Sequence, residues 1–150
     1  MKRNWMAFCL AAALMTAGTV YAKPAPSQLV PEKHGQCYVE DNLFVKDVNG
    51  AGGGQGVLHG DFAFRREQAL KTDAIKEIGW MTLKPGSYIG SHTHKDNEDA
   101  YLIISGKGIF TDGNGHAWVV GAGDMTIARP GQTHGLANLG KEDLVFLDII

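Results

Sequence analysis

Hydrophobic and polar residues alternate along much of this chain with the two-residue period of β-strands. Segment 75–83 is the clearest case, because Ile75, Met81 and Leu83 fall on one face while Lys76 and Trp80 fall on the other. Similar short apolar segments recur between turns rich in Gly, Pro, Asn and Asp. The pattern predicts strands at residues 37–48, 75–83, 101–105, 107–110, 116–120, 125–128, 133–138 and 144–150.

The turns between these segments favour an all-β fold. Thr111–Gly115 has the composition of a hairpin turn, and short strands with Gly-rich turns at regular spacing indicate a sandwich or barrel. Arg65–Ala74 is the only plausible helix. The glycine-rich segment Asn49–Gly56 lacks the Lys-Ser/Thr ending of a phosphate-binding loop, so it is predicted to be a connection.

The first 22 residues have the order typical of a secretory signal peptide. Lys2 and Arg3 precede an apolar centre that runs from Trp5 to about Met15, and small residues lead up to Ala22. The apolar centre is short for a membrane span, although an uncleaved anchor is the alternative. We therefore expect cleavage after Ala22 and export to the periplasm or the medium.

The remaining chain is expected to hold one domain. Residues 23–36 contain three prolines and few large apolar residues, so they are predicted to form an extended arm, and residues 37–150 a single β-barrel domain. A chain of this size buries roughly two thirds of its unfolded surface, which is enough for a core without disulfides. Cys37, the cysteine left after cleavage, is expected to be buried and inert, with pairing between chains as the alternative.

Charge narrows the classes of partner. Loss of residues 1–22 removes Lys2 and Arg3 and no acidic residue, so the formal net charge goes from −2 to about −4. Basic clusters are absent from the sequence. These features argue against nucleic acid and against anionic membrane surfaces as partners.

The candidate chemistry lies in two stretches of polar residues. His92 and His94 are one residue apart, so in a strand their side chains leave the same face and can grip one ion. The carboxylates of Glu98 and Asp99 follow, and His134 comes after a further turn. Three imidazoles and one carboxylate suit a divalent first-row metal that keeps one or two positions open.

These residues resemble the two sequence motifs of the cupin superfamily. Gly86, His92, His94 and Gly106 fall on the first motif. The second motif is matched by Gly123, Gly131, His134 and Asn138, with Arg129 at the usual proline position and Pro130 one residue later. The resemblance implies a double-stranded β-helix, or jelly-roll barrel, in which the two motifs face each other and bring the three histidines together.

The acidic ligand is ambiguous at this stage. Motif spacing places it at Asp99, which is shorter than the usual glutamate, whereas the glutamate in this sequence is Glu98. Strand alternation puts Asp99 on the face of Tyr101 and Glu98 on the face of Leu102, and both faces can be buried. We favour Asp99 by spacing and retain Glu98, because a bulge at the start of the strand could turn it inward.

The resemblance implies a small-molecule partner and one divalent ion (Mn, Fe, Ni or Zn). A metal-dependent enzyme acting on an organic acid, a sugar or a related oxygenated compound is the first hypothesis, with decarboxylase, oxidase, dioxygenase, isomerase and lyase activities all known in the superfamily. Tyr101 and Arg129 are then the catalytic candidates, and Gln132 is a second candidate for substrate contact. The alternative is a binding protein that captures a sugar or organic acid without turnover. The arm and exposed sheet edges predict a homodimer.

Overall fold

The computed structural model describes residues 38–150, which fold into ten strands. The predicted signal peptide, the predicted arm and Cys37 lie outside the described residues. The strands are β1 (Phe44–Asn49), β2 (Val57–Phe64), β3 (Ile78–Leu83), β4 (Tyr88–Thr93), β5 (Asp99–Ser105), β6 (Lys107–Asp112), β7 (Ala117–Gly121), β8 (Met125–Ala128), β9 (Thr133–Ala137) and β10 (Leu144–Ile149). The predicted all-β class is confirmed.

Two antiparallel sheets enclose the core. One sheet has the order β1-β2-β3-β10-β5-β8 and the other β4-β9-β6-β7, so strands far apart in sequence lie side by side. This interleaving is that of a double-stranded β-helix. The most completely buried apolar side chains come from both sheets and fill the space between them: Leu83, Ile103, Leu136, Leu144 and Phe146.

Alternation along the strands separates a buried face from an outer one, as the sequence predicts. In β3, Gly79, Met81 and Leu83 are buried while Trp80 is 44% exposed. The edge strand predicted at residues 37–48 is confirmed only in its second half, as β1 at the end of the six-stranded sheet, because Glu40–Asn42 forms a 3₁₀ turn. The hairpin predicted at Thr111–Gly115 joins β6 to β7.

The predicted helix at Arg65–Ala74 is wrong. This segment forms two separate turns, in which Gln68 Oε1 accepts the Arg65 N–H at 2.8 Å and Asp73 Oδ2 accepts the Leu70 N–H at 2.6 Å. These side-chain acceptors compete with the backbone carbonyls that a helix requires. Within residues 38–150 the helical segments are single 3₁₀ turns, at Glu40–Asn42 and Ala51–Gly53. That part of the chain also has no helix of the length and apolarity needed to span a membrane.

The glycine-rich segment packs closely against β4. Gln55 and Tyr88 exchange two backbone hydrogen bonds of 3.1 and 2.9 Å, which hold the segment beside the strand. A Cβ on Gly54 would lie 2.0 Å from the Tyr88 carbonyl oxygen, and one on Gly52 would lie 3.0 Å from His92 Nδ1. Only glycine allows this approach. The segment predicted as a simple connection therefore supports the strand that carries His92.

Candidate metal centre

Four side chains converge between the two sheets. His94 Nε2 lies 3.1 Å from His92 Nε2, 3.1 Å from His134 Nε2 and 3.1 Å from Asp99 Oδ2. His134 Nε2 lies 3.3 Å from the same carboxylate oxygen. One donor atom from each residue lies within 4.8 Å of all the others, and His94, Asp99 and His134 are buried. The cluster is thus compact enough for one ion to contact all four.

The strand pairing explains this convergence. β4 and β9 are neighbours, and His92 is the direct cross-strand partner of His134. His94 follows the end of β4, and its backbone N–H donates to the Gln132 carbonyl at 3.0 Å. Asp99 begins β5 in the opposite sheet, where it shares the inward face with Tyr101 and Ile103.

The structure separates the two candidate carboxylates. Asp99 is 2% exposed and points into the histidine cluster, whereas Glu98 is exposed, and its Oε1 lies 3.8 Å from Arg129 Nε. The geometry therefore groups Asp99, and not Glu98, with the three histidines. Metal ligation by these residues stays a prediction.

The hydrogen bonds around the cluster leave donor atoms available to an ion. His92 Nδ1 is 3.0 Å from the Gly90 carbonyl oxygen, so this nitrogen carries the proton and the Nε2 lone pair faces the cluster. Within the described part of the chain, His134 Nδ1 and Asp99 Oδ1 are buried with no hydrogen-bond partner. At most one proton can lie between two of these Nε2 atoms, so some of their lone pairs stay without a hydrogen. A cation between the three Nε2 atoms and the carboxylate oxygen would satisfy those lone pairs. The residues thus fit a divalent metal.

The local electrostatics favour the protonation states that metal ligands need. Burial lowers the pKa of His94, although the nearby Asp99 charge opposes this shift. Burial alone would raise the pKa of Asp99, but hydrogen bonds from His134 and Asp148 and the neighbouring histidines lower it. A neutral imidazole and an ionised carboxylate are the charge states in which these side chains bind a metal.

Asp148 is a buried acidic group that sequence reasoning missed. It lies on β10 and is 6% exposed, and burial followed by the negative charge of Asp99 raises its pKa well above the usual range. Burial and the neighbouring Asp99 charge therefore favour the protonated, uncharged form of Asp148. A signal was available in the sequence, because Leu144, Phe146 and Asp148 are two residues apart and therefore share the inward face of the strand.

Tyr101 and Arg129, the predicted catalytic residues, occupy different places. Tyr101 is buried, its hydroxyl donates to Asp99 Oδ2 at 3.3 Å, and its ring stacks on His134 with centroids 5.1 Å apart. Burial raises the pKa of this hydroxyl well above 10.0, so it remains protonated. Tyr101 thus orients a site residue, while Arg129 is largely exposed.

A cavity of about 440 Å³ opens beside His134. Its walls include aromatic, aliphatic and polar side chains, among them Phe110, Trp118, Ile127, Arg129 and Gln132. Gln132 Oε1 accepts the Arg129 backbone N–H at 2.8 Å, so its side chain closes the turn before β9. Arg129 is the cationic side chain in the lining of this cavity, and Asp112 is the acidic one.

The remaining described histidines lie outside the cluster. His59 Nδ1 is 2.7 Å from Asp47 Oδ1 on the outer face of β1 and β2. His116 Nδ1 is 3.0 Å from Asp112 Oδ2 in the β6–β7 hairpin. Each is partly or largely exposed beside a carboxylate, as expected for a surface histidine.

Comparison with known proteins places this geometry in context. Residues 79–150 match the cupin domain family. The oxalate-binding protein of Thermotoga maritima is 40% identical over 70 residues, which cover 47% of this chain and 57% of that protein. The match therefore spans less than two thirds of that relative's length.

Solved structures share the fold. A structure from Thermotoga maritima described as a predicted oxalate decarboxylase superposes with a TM-score of 0.68 at 27% identity, covering 76% of this chain and 96% of that one. A Klebsiella pneumoniae protein with a double-stranded β-helix domain gives a TM-score of 0.56 at 28% identity, with 77% and 89% coverage. The cupin domain match and the fold common to these structures support placing this chain in the cupin superfamily.

Proposed function

We propose that this protein binds a small carboxylic acid through a divalent metal ion held by His92, His94, Asp99 and His134. The convergence of these four donor atoms within 4.8 Å of one another is the observation that carries the proposal. The relative from Thermotoga maritima named as an oxalate-binding protein supports a dicarboxylic acid as the ligand class. Three imidazoles and one carboxylate leave one or two metal positions open for its oxygens.

The surroundings of the cluster suit an anionic ligand. The ion would act as a Lewis acid toward a carboxylate oxygen, with Mn, Fe, Ni and Zn all compatible with these ligands. Arg129 lines the adjoining cavity and can pair with a second carboxylate, after giving up its 3.8 Å contact with Glu98. Phe110 and Trp118 give that space two aromatic walls.

An enzyme that converts the bound acid is the second candidate. Asp148 favours it, because a protonated carboxyl group directly behind a metal ligand can tune the charge of the centre. Tyr101 does not provide an obvious proton donor for substrate, since its hydroxyl is directed to Asp99. If the protein is an enzyme, Arg129 is therefore the catalytic candidate, because its positive charge can stabilise negative charge that develops on the substrate.

Metal analysis combined with oxalate titration tests the proposal. Protein purified without added metal is expected to contain about one divalent ion per chain. Oxalate should release measurable heat on binding to this protein and none after chelator treatment. Metal content measured again after titration distinguishes binding at the ion from extraction of the ion. The absence of stoichiometric metal, together with a melting temperature unaffected by chelator, would contradict the proposal.

Two substitutions provide a matched control. His92→Ala removes one of the converging nitrogens and is expected to lose most of the bound metal. His116→Ala removes an exposed imidazole whose partner is Asp112, and it should keep the metal. Equal metal content in the two variants would contradict the assignment.

We further propose that the protein acts outside the cytoplasm, after cleavage of residues 1–22. The basic start, apolar centre and small residues before Ala22 support this proposal. Protein recovered from the periplasm or the medium is expected to begin at Lys23 when its first residues are sequenced. Recovery of the intact amino terminus in the cytoplasm would contradict export.

A further inference from the structure

Trp118 shares the inward face of the four-stranded sheet but stays half exposed. It is the cross-strand partner of Phe110, and Phe110 is the partner of Leu136 on β9, so the three side chains leave the same face. Phe110 is 9% exposed and Leu136 is 1% exposed, whereas Trp118 is 49% exposed. The opposite sheet therefore covers the first two side chains and leaves much of Trp118 open.

Aromatic rings connect Trp118 to the candidate metal centre. The ring centroids of Trp118 and Phe110 are 6.1 Å apart, and those of Phe110 and His134 are 5.8 Å apart. All three residues line the cavity that opens beside His134, and Ile127 of β8 adds an aliphatic side chain from the other sheet. A ligand held at the metal centre therefore has apolar surface to contact within the same cavity.

The cavity is much larger than a two-carbon acid needs. Its volume is about 440 Å³, and an adjacent space of about 380 Å³ is also lined by Phe110, Trp118 and Ile127. A cavity of roughly 150 Å³ is enough for benzene. Pockets of about 300–1,000 Å³ accommodate drug-sized ligands. Oxalate would thus leave most of the space beside His134 to water.

The charged side chains of the cavity favour an acid. Asp112 Oδ1 accepts the backbone N–H groups of Asn114 and His116 at 2.8 and 2.9 Å, so this carboxylate is held within its own hairpin. Arg129 Nε lies 3.8 Å from Glu98 Oε1, and both side chains are largely exposed. Because an exposed ion pair contributes little, Arg129 can exchange this contact for an acidic group of a ligand.

We propose that the acid bound at the metal centre is an aromatic carboxylic acid, whose ring packs against Trp118, Phe110 and Ile127. This inference rests on the proposed metal-bound carboxylic acid and specifies its class. The ring of the acid covers the part of Trp118 that the opposite sheet leaves open. Offset-stacked and edge-to-face contacts with the two aromatic side chains favour a flat ring over an aliphatic chain. Oxalate shares the acidic group of such a ligand but not its ring contact.

Acetate and benzoate test the ring contact, because both carry one carboxylate and benzoate has a ring in place of the methyl group. The metal-loaded protein is titrated with each acid by calorimetry, and its metal content is measured on the same samples. Benzoate should bind at least about tenfold more tightly than acetate, because its ring leaves water for apolar side chains. Benzoate that binds no more tightly than acetate would overturn the proposal.

Two tryptophan substitutions provide a matched control. Trp118→Ala should weaken benzoate binding at least about fivefold and change acetate binding by less than about twofold, because only benzoate contacts the indole. Trp80→Ala removes a tryptophan of similar exposure, 44%, from β3 in the other sheet, and should keep the preference for benzoate. Ile127→Ala, at a side chain 39% exposed, should also reduce that preference and serves if Trp118→Ala fails to fold. A preference for benzoate that is unchanged in Ile127→Ala and in folded Trp118→Ala would overturn the proposal.

Oxalate separates this proposal from the proposed function. Metal-dependent oxalate binding, together with benzoate that binds no more tightly than acetate, would overturn the ring contact and leave the metal-bound acid standing. Absence of binding by all three acids would overturn both. Oxalate binding and metal content that persist in Trp118→Ala, while the benzoate preference is lost, are the results expected if Trp118 contacts the ring and not the ion.

Discussion

Asp99 and Glu98 are adjacent carboxylates in very different surroundings. Asp99 is buried beside three imidazoles and receives a hydrogen bond from Tyr101, whereas Glu98 is exposed near Arg129. A carboxylate in the first environment is held ionised by its neighbours, and one in the second is solvated. The chemistry of the site thus depends on which of two adjacent residues at the start of β5 points inward.

Removing one charge at a time distinguishes the two carboxylates. Asp99→Asn preserves shape but removes the anionic ligand, so metal affinity should fall by at least tenfold, a magnitude typical for loss of support at a metal site. Glu98→Gln should change affinity by less than about twofold, because exposed ion pairs contribute little. Competition with a chromophoric chelator measures both values. The reverse ranking would mean that the strand bulges at its start in the metal-bound protein.

At the level of secondary-structure elements, β4 depends on the glycine-rich segment behind it. The Gly90 carbonyl oxygen accepts a hydrogen bond from His92 Nδ1. Gly52, in the segment Ala51–Gly53, lies directly against both Gly90 and His92. The metal site therefore has a backbone support from a segment that carries no functional side chain. Close packing of this kind transmits small displacements to the histidine.

Substitution of Gly90 tests this support. A Cβ at Gly90 would lie 2.4 Å from the Gly52 carbonyl oxygen and 2.6 Å from the Gly54 nitrogen, so backbone must move. Gly90→Ala should lower the free energy of unfolding by about 1–3 kcal/mol and weaken metal binding. Gly121→Ala is the control, because its nearest neighbour would be 3.7 Å away. Chemical denaturation of both variants measures the difference, and equal stability would contradict close packing at Gly90.

At the level of the whole molecule, the buried site couples stability to pH. The folded-state pKa of His94 is below the ordinary histidine value of 6.5, so the unfolded chain takes up this proton first as pH falls. The contribution of neutral His94 is therefore present above pH 6.5 and is lost at lower pH. Ionised Asp99 also contributes stability that is lost as pH falls, but at lower pH, since its pKa is below 3.8. Asp148 has the opposite sign, because its raised pKa favours folding at low pH and that contribution is lost as pH rises.

These signs predict the pH dependence of melting. In the chelator-treated protein, the loss of the His94 contribution below about pH 6.5 and the gain from Asp148 act in opposite directions, so the melting temperature should depend only weakly on pH. The metal-loaded protein should show a steeper fall, because protons compete with the ion for all three imidazoles. Calorimetry at several pH values, with and without chelator, measures both curves. Parallel curves for the two forms would contradict metal binding by the histidine cluster.

Local sequence determined most of the strand pattern, although not β2, and the two histidine motifs, because side-chain alternation and turn chemistry act over a few residues. The helix expected at Arg65–Ala74 was wrong, since Gln68 and Asp73 close separate turns there. Tertiary structure decided three matters: that Asp99 rather than Glu98 joins the histidines, that Asp148 lies behind it, and that the glycine-rich segment supports His92. Each depends on contacts between strands or segments that are distant in sequence. Periodicity shows which residues share a face, but only the packing of the two sheets determines what that face meets.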